Sequence, residues 1–357
     1  RSILIIGNYG AGNLGDDAIL GGILCDLKAV GFSGRIRVTH GGFKSSRDIY
    51  KGLELVPFVP AGLRSRFNTL RSKTFKAIQD SDLIILGGGG LFTDRESRRA
   101  PYIWALQAKA ARKLKKPYIC YGQSVGPLKT FLGRYWAKKT FKYAKAIHVR
   151  DEASAELLKE WGLKVTGGTD PAFSWLLQQR RNVPRKSVLM VSLRLWPSYG
   201  EKEWEPLIKE INVFAKRKKL KPILMAMELR NQKEIEALKN TRMELFEPQS
   251  ALAAFEAFEK STLAVTMRLH ACIFALAAQT PFIGLSYSQK VSALLQKLKL
   301  RGGVKLLSNL SGVNLREALK ELPPLREEKL AIAVQSTNLE SLLMQNQAFL
   351  AQQLGDL

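Results

Sequence analysis

Short apolar runs alternate with amphipathic stretches through the first 150 residues. Ile3–Ile6, Ile36–Thr39, Leu83–Leu86, Tyr118–Tyr121 and Ala146–Val149 have the length and bounding residues of buried strands. Between them, Asp17–Val30, Ala100–Lys115 and Phe131–Ala144 carry apolar positions at helical spacing. Strand followed by helix, repeated, predicts a parallel sheet wound on both faces. The pattern ends at Val165-Thr166-Gly167-Gly168-Thr169-Asp170-Pro171. A helix or loop through Trp175 follows, and the polar, basic stretch Gln178–Lys186 reads as a linker. The alternation then restarts. Ser187–Ser192, Pro222–Ala226, Leu263–Thr266 and Pro281–Leu285 read as strands, Trp204–Lys218, Ala271–Ala278 and Ser292–Lys299 as helices, and Arg326–Leu354 as a helical tail. The expected organisation is a doubly wound domain over 1–177, a linker over 178–186, a second doubly wound domain over 187–325 and a tail over 326–357.

Composition agrees with two domains. The chain has 357 residues, of which 46% are hydrophobic and 24% charged. Cys25, Cys120 and Cys272 are far apart and odd in number, which argues against a disulfide framework and for a reducing compartment. No apolar run is long enough to span a bilayer, and Arg1–Gly7 reads as a first strand rather than a signal peptide. The net charge of +25 is the outlier. It attracts polyanions: nucleic acid, an anionic membrane face or phosphorylated substrates. A merely solvated basic surface is the plainer alternative. Leu63–Lys76, with five cations around Phe67, Leu70 and Phe75, reads either as a membrane-interface segment or as a surface helix packed on its domain.

Candidate chemistry gathers where strands end, which is where parallel α/β proteins place ligands. Thr266-Met267-Arg268-Leu269-His270 joins a strand to a helix. Arg268 offers a planar fork to a carboxylate or phosphate, and His270 is one of three histidines and suited to proton transfer. Gly10-Ala11-Gly12-Asn13-Leu14-Gly15 matches a dinucleotide fingerprint. However, Asp16 and Asp17 would repel a pyrophosphate, and Thr39-His40-Gly41 supplies no acid for a ribose. A loop that lets a carbohydrate approach the backbone fits better, with Asn13 and Asp16 as polar contacts. Gly87–Gly90 leaves amides open for a ligand and leads to Asp94, a candidate general base, although tight packing with a capping Asp explains it equally well. Gln123 and Ser124 end the next strand and are expected to face a cleft. Arg150 is a second anion clamp or an ion pair with Asp151 or Glu152. Arg194 supplies a third cation, and Tyr287 lines the same cleft. No metal-ligand spacing, Walker loop or Gly-x-Ser-x-Gly elbow is present, so neither a metal nor a cofactor is expected.

Taken in order, Gly7–Gly10 with Asn13–Asp17, Gly87–Asp94, Gly122–Pro127, Val149–Ser154, Asp170-Pro171 and Arg268–His270 resemble the polysaccharide pyruvyl transferase family. The resemblance is nearest to bacterial members that ketalise a lipid-linked cell-wall sugar for S-layer anchoring. It implies a GT-B-like fold, two Rossmann-like domains facing a cleft, with the acceptor on the N-terminal side and the donor, phosphoenolpyruvate, on the C-terminal side. It further implies that Arg268, the Leu269 backbone and Arg150 hold the donor and that His270 is the acid/base. Met225–Arg230 departs from the family's more polar segment. The expected partners are phosphoenolpyruvate as co-substrate, a lipid-linked or polymeric amino-sugar acceptor and an anionic membrane face, with no specific nucleic acid. The expected location is the cytoplasm, peripheral to the inner face of the plasma membrane. Two other readings stay open: a GT-B glycosyltransferase using a nucleotide sugar, and a basic nucleic-acid-binding protein, for which no binding motif is found.

Overall fold

The computed structural model describes residues 1–59, 69–95, 97–181, 183–195, 200–286, 293, 300–301, 304–307, 311–321, 335–336 and 338–355. The chain forms two compact units. Unit 1 comprises Arg1–Ala11, Asp16–Trp175 and Glu340–Leu357, and unit 2 comprises Gly12–Gly15 and Leu176–Leu339.

Unit 1 runs β1 (Ser2–Ile6), α1 (Leu14–Ala29), β2 (Arg35–Thr39), α2 (Arg47–Tyr50), β3 (Glu54–Val56), α3 (Thr69–Gln79), β4 (Leu83–Leu86), β5 (Gly89–Phe92), α4 (Ala100–Lys113), β6 (Tyr118–Val125), α5 (Phe131–Lys142), β7 (Ala146–Val149), α6 (Glu152–Glu160), β8 (Thr166–Gly167) and α7 (Ala172–Gln179). The order across the sheet is β3-β2-β1-β4-β6-β7-β8, with β5 paired to β6. Every pairing is parallel. Residues Ile3–Ile6 and all of β4 are buried, as expected of strands covered on both faces. The direction in which successive strands are added reverses between β1 and β4, which makes that pair the topological switch point. Phe75 packs against the core of this unit, which favours the surface-helix reading of its segment; Phe67 lies outside the described residues.

Unit 2 repeats the plan with β9 (Lys186–Ser192), α8 (Glu201–Lys218), β10 (Lys221–Met225), α9 (Gln232–Asn240), β11 (Glu244–Phe246), α10 (Ala251–Glu259), β12 (Ser261–Thr266), α11 (Leu269–Ala277), β13 (Phe282–Leu285), β14 (Leu300–Arg301), β15 (Val304–Leu307), α12 (Gly312–Lys320) and β16 (Gln335–Ser336). Its sheet order is β11-β10-β9-β12-β13-β15, again parallel, so β9 and β12 flank the second switch point. β14 and β16 form a separate antiparallel pair.

One expectation changes. The tail is not one helix: Gln335–Ser336 is a strand, and only Leu339–Gly355, α13, is helical among its described residues. From Glu340 that helix belongs to unit 1. Asn346 accepts from the Thr169 amide (3.0 Å) and donates to the Thr169 carbonyl (3.2 Å). The linker stretch is fastened to unit 2. Its Arg181 amide donates to Glu259, and its Arg185 donates to the carbonyls of Ser261 and Gln279. The helix expected over Ser292–Lys299 falls almost wholly outside the described residues.

Candidate active site

Unit 2 presents its polar groups at the carboxyl edge of β9, β10 and β12. β12 is apolar and buried up to Thr266, after which Arg268 takes extended backbone (φ −85°, ψ 139°) and caps α11. An arginine has no acceptor, so it cannot bond the free amides of the first turn, and the helix has no side-chain cap. Those amides and the helix dipole favour an anion at this point. Arg268 is itself only 5% exposed. Its Nη2 donates to Glu228 Oε2 (3.1 Å) and to Glu234 Oε1. Buried Glu234, on α9, also accepts from the Leu195 amide (3.0 Å), so it fixes Arg268 against the end of β9. Arg268 Nε and Ser192 Oγ are buried polar atoms with no hydrogen-bond partner among the described residues. Both stand at the switch point, where Ser192 and Thr266 are paired across β9 and β12. An orphaned donor and hydroxyl at one strand edge suit a polar ligand.

His270 is the second residue of α11 and half-buried. Its ring lies directly on Gly15, where any Cβ would overlap it. Gly12–Gly15 is held beside it by main-chain bonds: Leu14 donates to the Met227 carbonyl (3.1 Å) and Leu229 to the Gly12 carbonyl (2.7 Å). Asn13 bridges Glu228 antiparallel, and Asn13 Oδ1 accepts from the Gly15 amide (3.0 Å). The last glycine of the apparent dinucleotide fingerprint therefore seats a histidine. Arg194 follows β9, half-buried, on the same edge. Leu269 is half-buried in the first turn.

Unit 1 places the remaining residues differently. Asp16 accepts from Asn8 Nδ2 (2.8 Å), and Asp17 from the Gly10 amide, Ser45 Oγ and Tyr50 Oη. Both acids thus brace the loop after β1. The glycine run after β4 is not an open cradle. Gly87 donates to the Ile6 carbonyl (2.7 Å), a Cβ there would overlap Tyr9 Oη, and Gly89 already belongs to β5.

Three assignments need correction. Asp94 accepts from the Lys129 amide (2.8 Å) and from the Thr130 amide and hydroxyl (2.6 Å each). Burial works to raise its pKa, but these hydrogen bonds outweigh it and hold the carboxyl below the ordinary range. Such a carboxylate anchors a loop and is a poor general base. Gln123 does not face outward: it is fully buried, and its Nε2 donates to the Leu86 and Gly87 carbonyls. Arg150 is buried against Asp170 and donates from Nε to Ser124 Oγ (2.7 Å). A guanidinium taken out of water needs a carboxylate, and Asp170 supplies it, so Arg150 is held in a buried ion pair rather than standing open to an anion. Asp151, its sequence neighbour, caps α6 through the Ser154 amide and accepts from Ser124 Oγ. Tyr287 lies outside the described residues. Sequence reasoning missed Glu228 and Glu234 as partners of Arg268. The only signal for Glu228 was its place in the divergent Met225–Arg230 segment.

Two parallel doubly wound sheets define a GT-B-like fold of two Rossmann-like domains, and solved structures agree. A putative UDP-N-acetylglucosamine 2-epimerase from Listeria monocytogenes matches with a TM-score of 0.68 at 12% identity, over 100% of this chain and 97% of that one. The Neisseria meningitidis UDP-GlcNAc 2-epimerase matches at 0.62 and 13%, over 97% and 99%. The Methanocaldococcus jannaschii enzyme matches at 0.59 and 14%, over 93% and 97%. At these identities the likeness concerns fold alone. No curated protein matches the sequence. Residues 13–289 match the sequence model of the polysaccharide pyruvyl transferases, and the chain belongs to that family. It is accordingly a transferase, with a polysaccharide as the implied acceptor.

Proposed function

We propose that the protein transfers the pyruvyl group of phosphoenolpyruvate to two hydroxyls of an amino sugar in a lipid-linked or polymeric cell-wall or exopolysaccharide precursor. The observation that carries this reading is the Arg268-Leu269-His270 turn at the second switch point, with an uncapped helix start, an orphaned Arg268 Nε and a histidine seated on Gly15. Phosphoenolpyruvate is a compact anion. Its charge suits the α11 N-terminus, Arg268 and Arg194. Glu234 holds Arg268 in place, while Glu228, with its side chain 30% exposed, is free to yield its share of Nη2 to the ligand.

In this reading His270 protonates the methylene carbon, which becomes a methyl group, and positive charge develops at C2. The first sugar hydroxyl adds to C2 and loses its proton, restoring the proton spent by His270. The second hydroxyl then adds as the C2–O bond to phosphate breaks, and its proton leaves with inorganic phosphate. The products are a cyclic ketal and phosphate. Two protons leave the hydroxyls, one ending on carbon and one with phosphate, so the histidine is unchanged. Acceptors carried on a membrane lipid would bring the basic chain to the inner face of the plasma membrane.

The test is phosphate release from phosphoenolpyruvate with a panel of lipid-linked and synthetic amino sugars. Wild type should release phosphate only when acceptor is present. His270→Gln should remain folded and bind donor but lose ~10²–10⁴-fold in turnover, the range for a general acid. Release of nucleoside diphosphate from a nucleotide sugar, with none from phosphoenolpyruvate, would replace this reading by a glycosyltransferase.

A further inference from the structure

Between residues 97 and 150 the chain carries fourteen lysines and arginines and no aspartate or glutamate. Much of that charge emerges on α4 and α5, which pack side by side with the Tyr102 and Trp136 rings 5.3 Å apart. A cavity of about 340 Å³ between the two helices is lined by Lys109, Arg112, Lys113 and Lys139, together with Tyr118 and Trp136. Among the described residues none of these four cations forms an ion pair with a carboxylate, and two of them meet rings. Arg112 lies 3.5 Å over the Tyr143 ring, and Lys139 donates to Tyr135 Oη (3.0 Å).

The same helix turns apolar groups outward. Phe131 is 81% exposed, Leu132 64% and Tyr135 44%. Phe131, Tyr135, Lys138 and Lys142 follow one another at i, i+4, i+7 and i+11, so one outward stripe of α5 is aromatic at its start and cationic at its end. A helix on a water-facing surface ordinarily keeps that stripe polar. Phe131 and Leu132 also open α5 at the carboxyl edge of the unit 1 sheet, the edge that carries Tyr9, Asp16 and Gly87–Gly90.

The geometry points to the outer face of α4 and α5 as a docking surface for an anionic lipid bilayer. Phe131, Leu132 and Tyr135 enter the boundary between headgroups and acyl chains, and the cations around the cavity take lipid phosphates. Charge selects this occupant. A second copy meeting the same face across a twofold axis would oppose two acid-free cationic surfaces. A nucleic acid would satisfy the cations but give no return for exposed Leu132. The inference deepens the reading of a lipid-carried acceptor by naming the surface that would meet the lipid.

Co-sedimentation of the full chain with vesicles tests it. Wild type should bind vesicles of phosphatidylglycerol mixed with phosphatidylcholine and ignore phosphatidylcholine alone. Phe131→Ser with Leu132→Ser, at unchanged charge, should lower partitioning by about tenfold. Lys109→Gln, Arg112→Gln and Lys113→Gln together should lower it by about tenfold or more. Lys216→Gln, Arg217→Gln and Lys218→Gln on α8 should change it little. Thermal melting checks that each variant is folded, and the exposed Phe131 and Leu132 should leave it unmoved. The surface is overturned if wild type does not bind, if the Phe131/Leu132 pair has no effect, or if the α8 triple costs as much as the α4 triple. It is also overturned if an RNA duplex binds with the same cation dependence and vesicle binding proves indifferent to Phe131 and Leu132. No donor or acceptor enters this assay, so its outcome is independent of the phosphate-release test.

Discussion

Gly15 is where a sequence motif and a candidate catalytic group coincide. It occupies the first turn of α1 with ordinary helical backbone, so alanine there should suit the helix and add ~0.5–1 kcal/mol of local stability. The same methyl group would overlap the His270 ring. The ring must shift, and a displacement of about 1 Å at a reacting group commonly costs ~10²-fold in rate. Gly15→Ala is therefore expected to lower phosphate release by about that factor, and because the overlap reaches His270 Cβ as well as the ring, to melt below wild type despite the gain in helix propensity. Parallel kinetics and calorimetry check this, and an active Gly15→Ala protein would show that His270 need not stand where it does. Glycine is required here by a neighbouring side chain, which no spacing rule could distinguish from a phosphate cradle. Arg150 teaches the same lesson from the other side. An arginine at a strand end looks alike whether it awaits an anion or already holds one, and only the fold brings Asp170 to it.

At the scale of elements, the strands from Ile3–Ile6 through Leu263–Thr266 were legible because both faces of a parallel sheet are covered, leaving continuous apolar runs. β3, β8 and β11 have only two or three residues each and escape that signal. β5 hides inside a glycine run whose composition suggests a loop. The Arg-Leu-His turn was legible as a strand end, whereas the carboxylates that hold Arg268 come from α9 and from the segment after β10, far off in sequence. Long-range polar contacts of this kind also fix α1. Asp26 is fully buried and accepts from Tyr121 Oη of β6 (2.7 Å) and Ser174 Oγ of α7 (2.6 Å). Burial pushes its carboxyl up to about 6, against the pull of those hydrogen bonds. The native state thus holds this proton more tightly than the unfolded chain does. Its contribution to stability is complete below the unfolded value near 4 and is lost as the pH rises through about 6. Across that window the loss is about 3 kcal/mol. Asp26→Asn carries no such proton. Urea unfolding from pH 4 to pH 7 should show wild type losing about that much stability relative to the variant, and parallel curves would disprove the assignment.

At the scale of the whole molecule, unit 1 is completed by residues that lie more than 160 positions beyond its last strand-helix repeat. Asn346 of α13 is fully buried and bonds both the amide and the carbonyl of Thr169. Phe349 stacks at 5.9 Å on Tyr121 of β6 and lies 5.2 Å from His148 of β7. Arg1, just before β1, donates to the Leu354 carbonyl of α13. Removing α13 would strip the Thr169 amide and carbonyl of buried partners, at ~1–3 kcal/mol for each group. Loss of Phe349 alone, as a large-to-small core change, is worth ~3–5 kcal/mol. Together these approach the whole stability of an ordinary domain, ~5–15 kcal/mol. A chain ending at Asn338 should therefore lose the protected core of unit 1. Hydrogen exchange reads this strand by strand: amides of β6 and β7 should exchange far faster than in the full chain, while those of β9 and β12, in unit 2, keep their protection. Phe349→Ala should move the same amides in the same direction by a smaller amount. If β6 and β7 stay protected without α13, the helix is an accessory cover, and the core of unit 1 closes with residues before Leu176 alone.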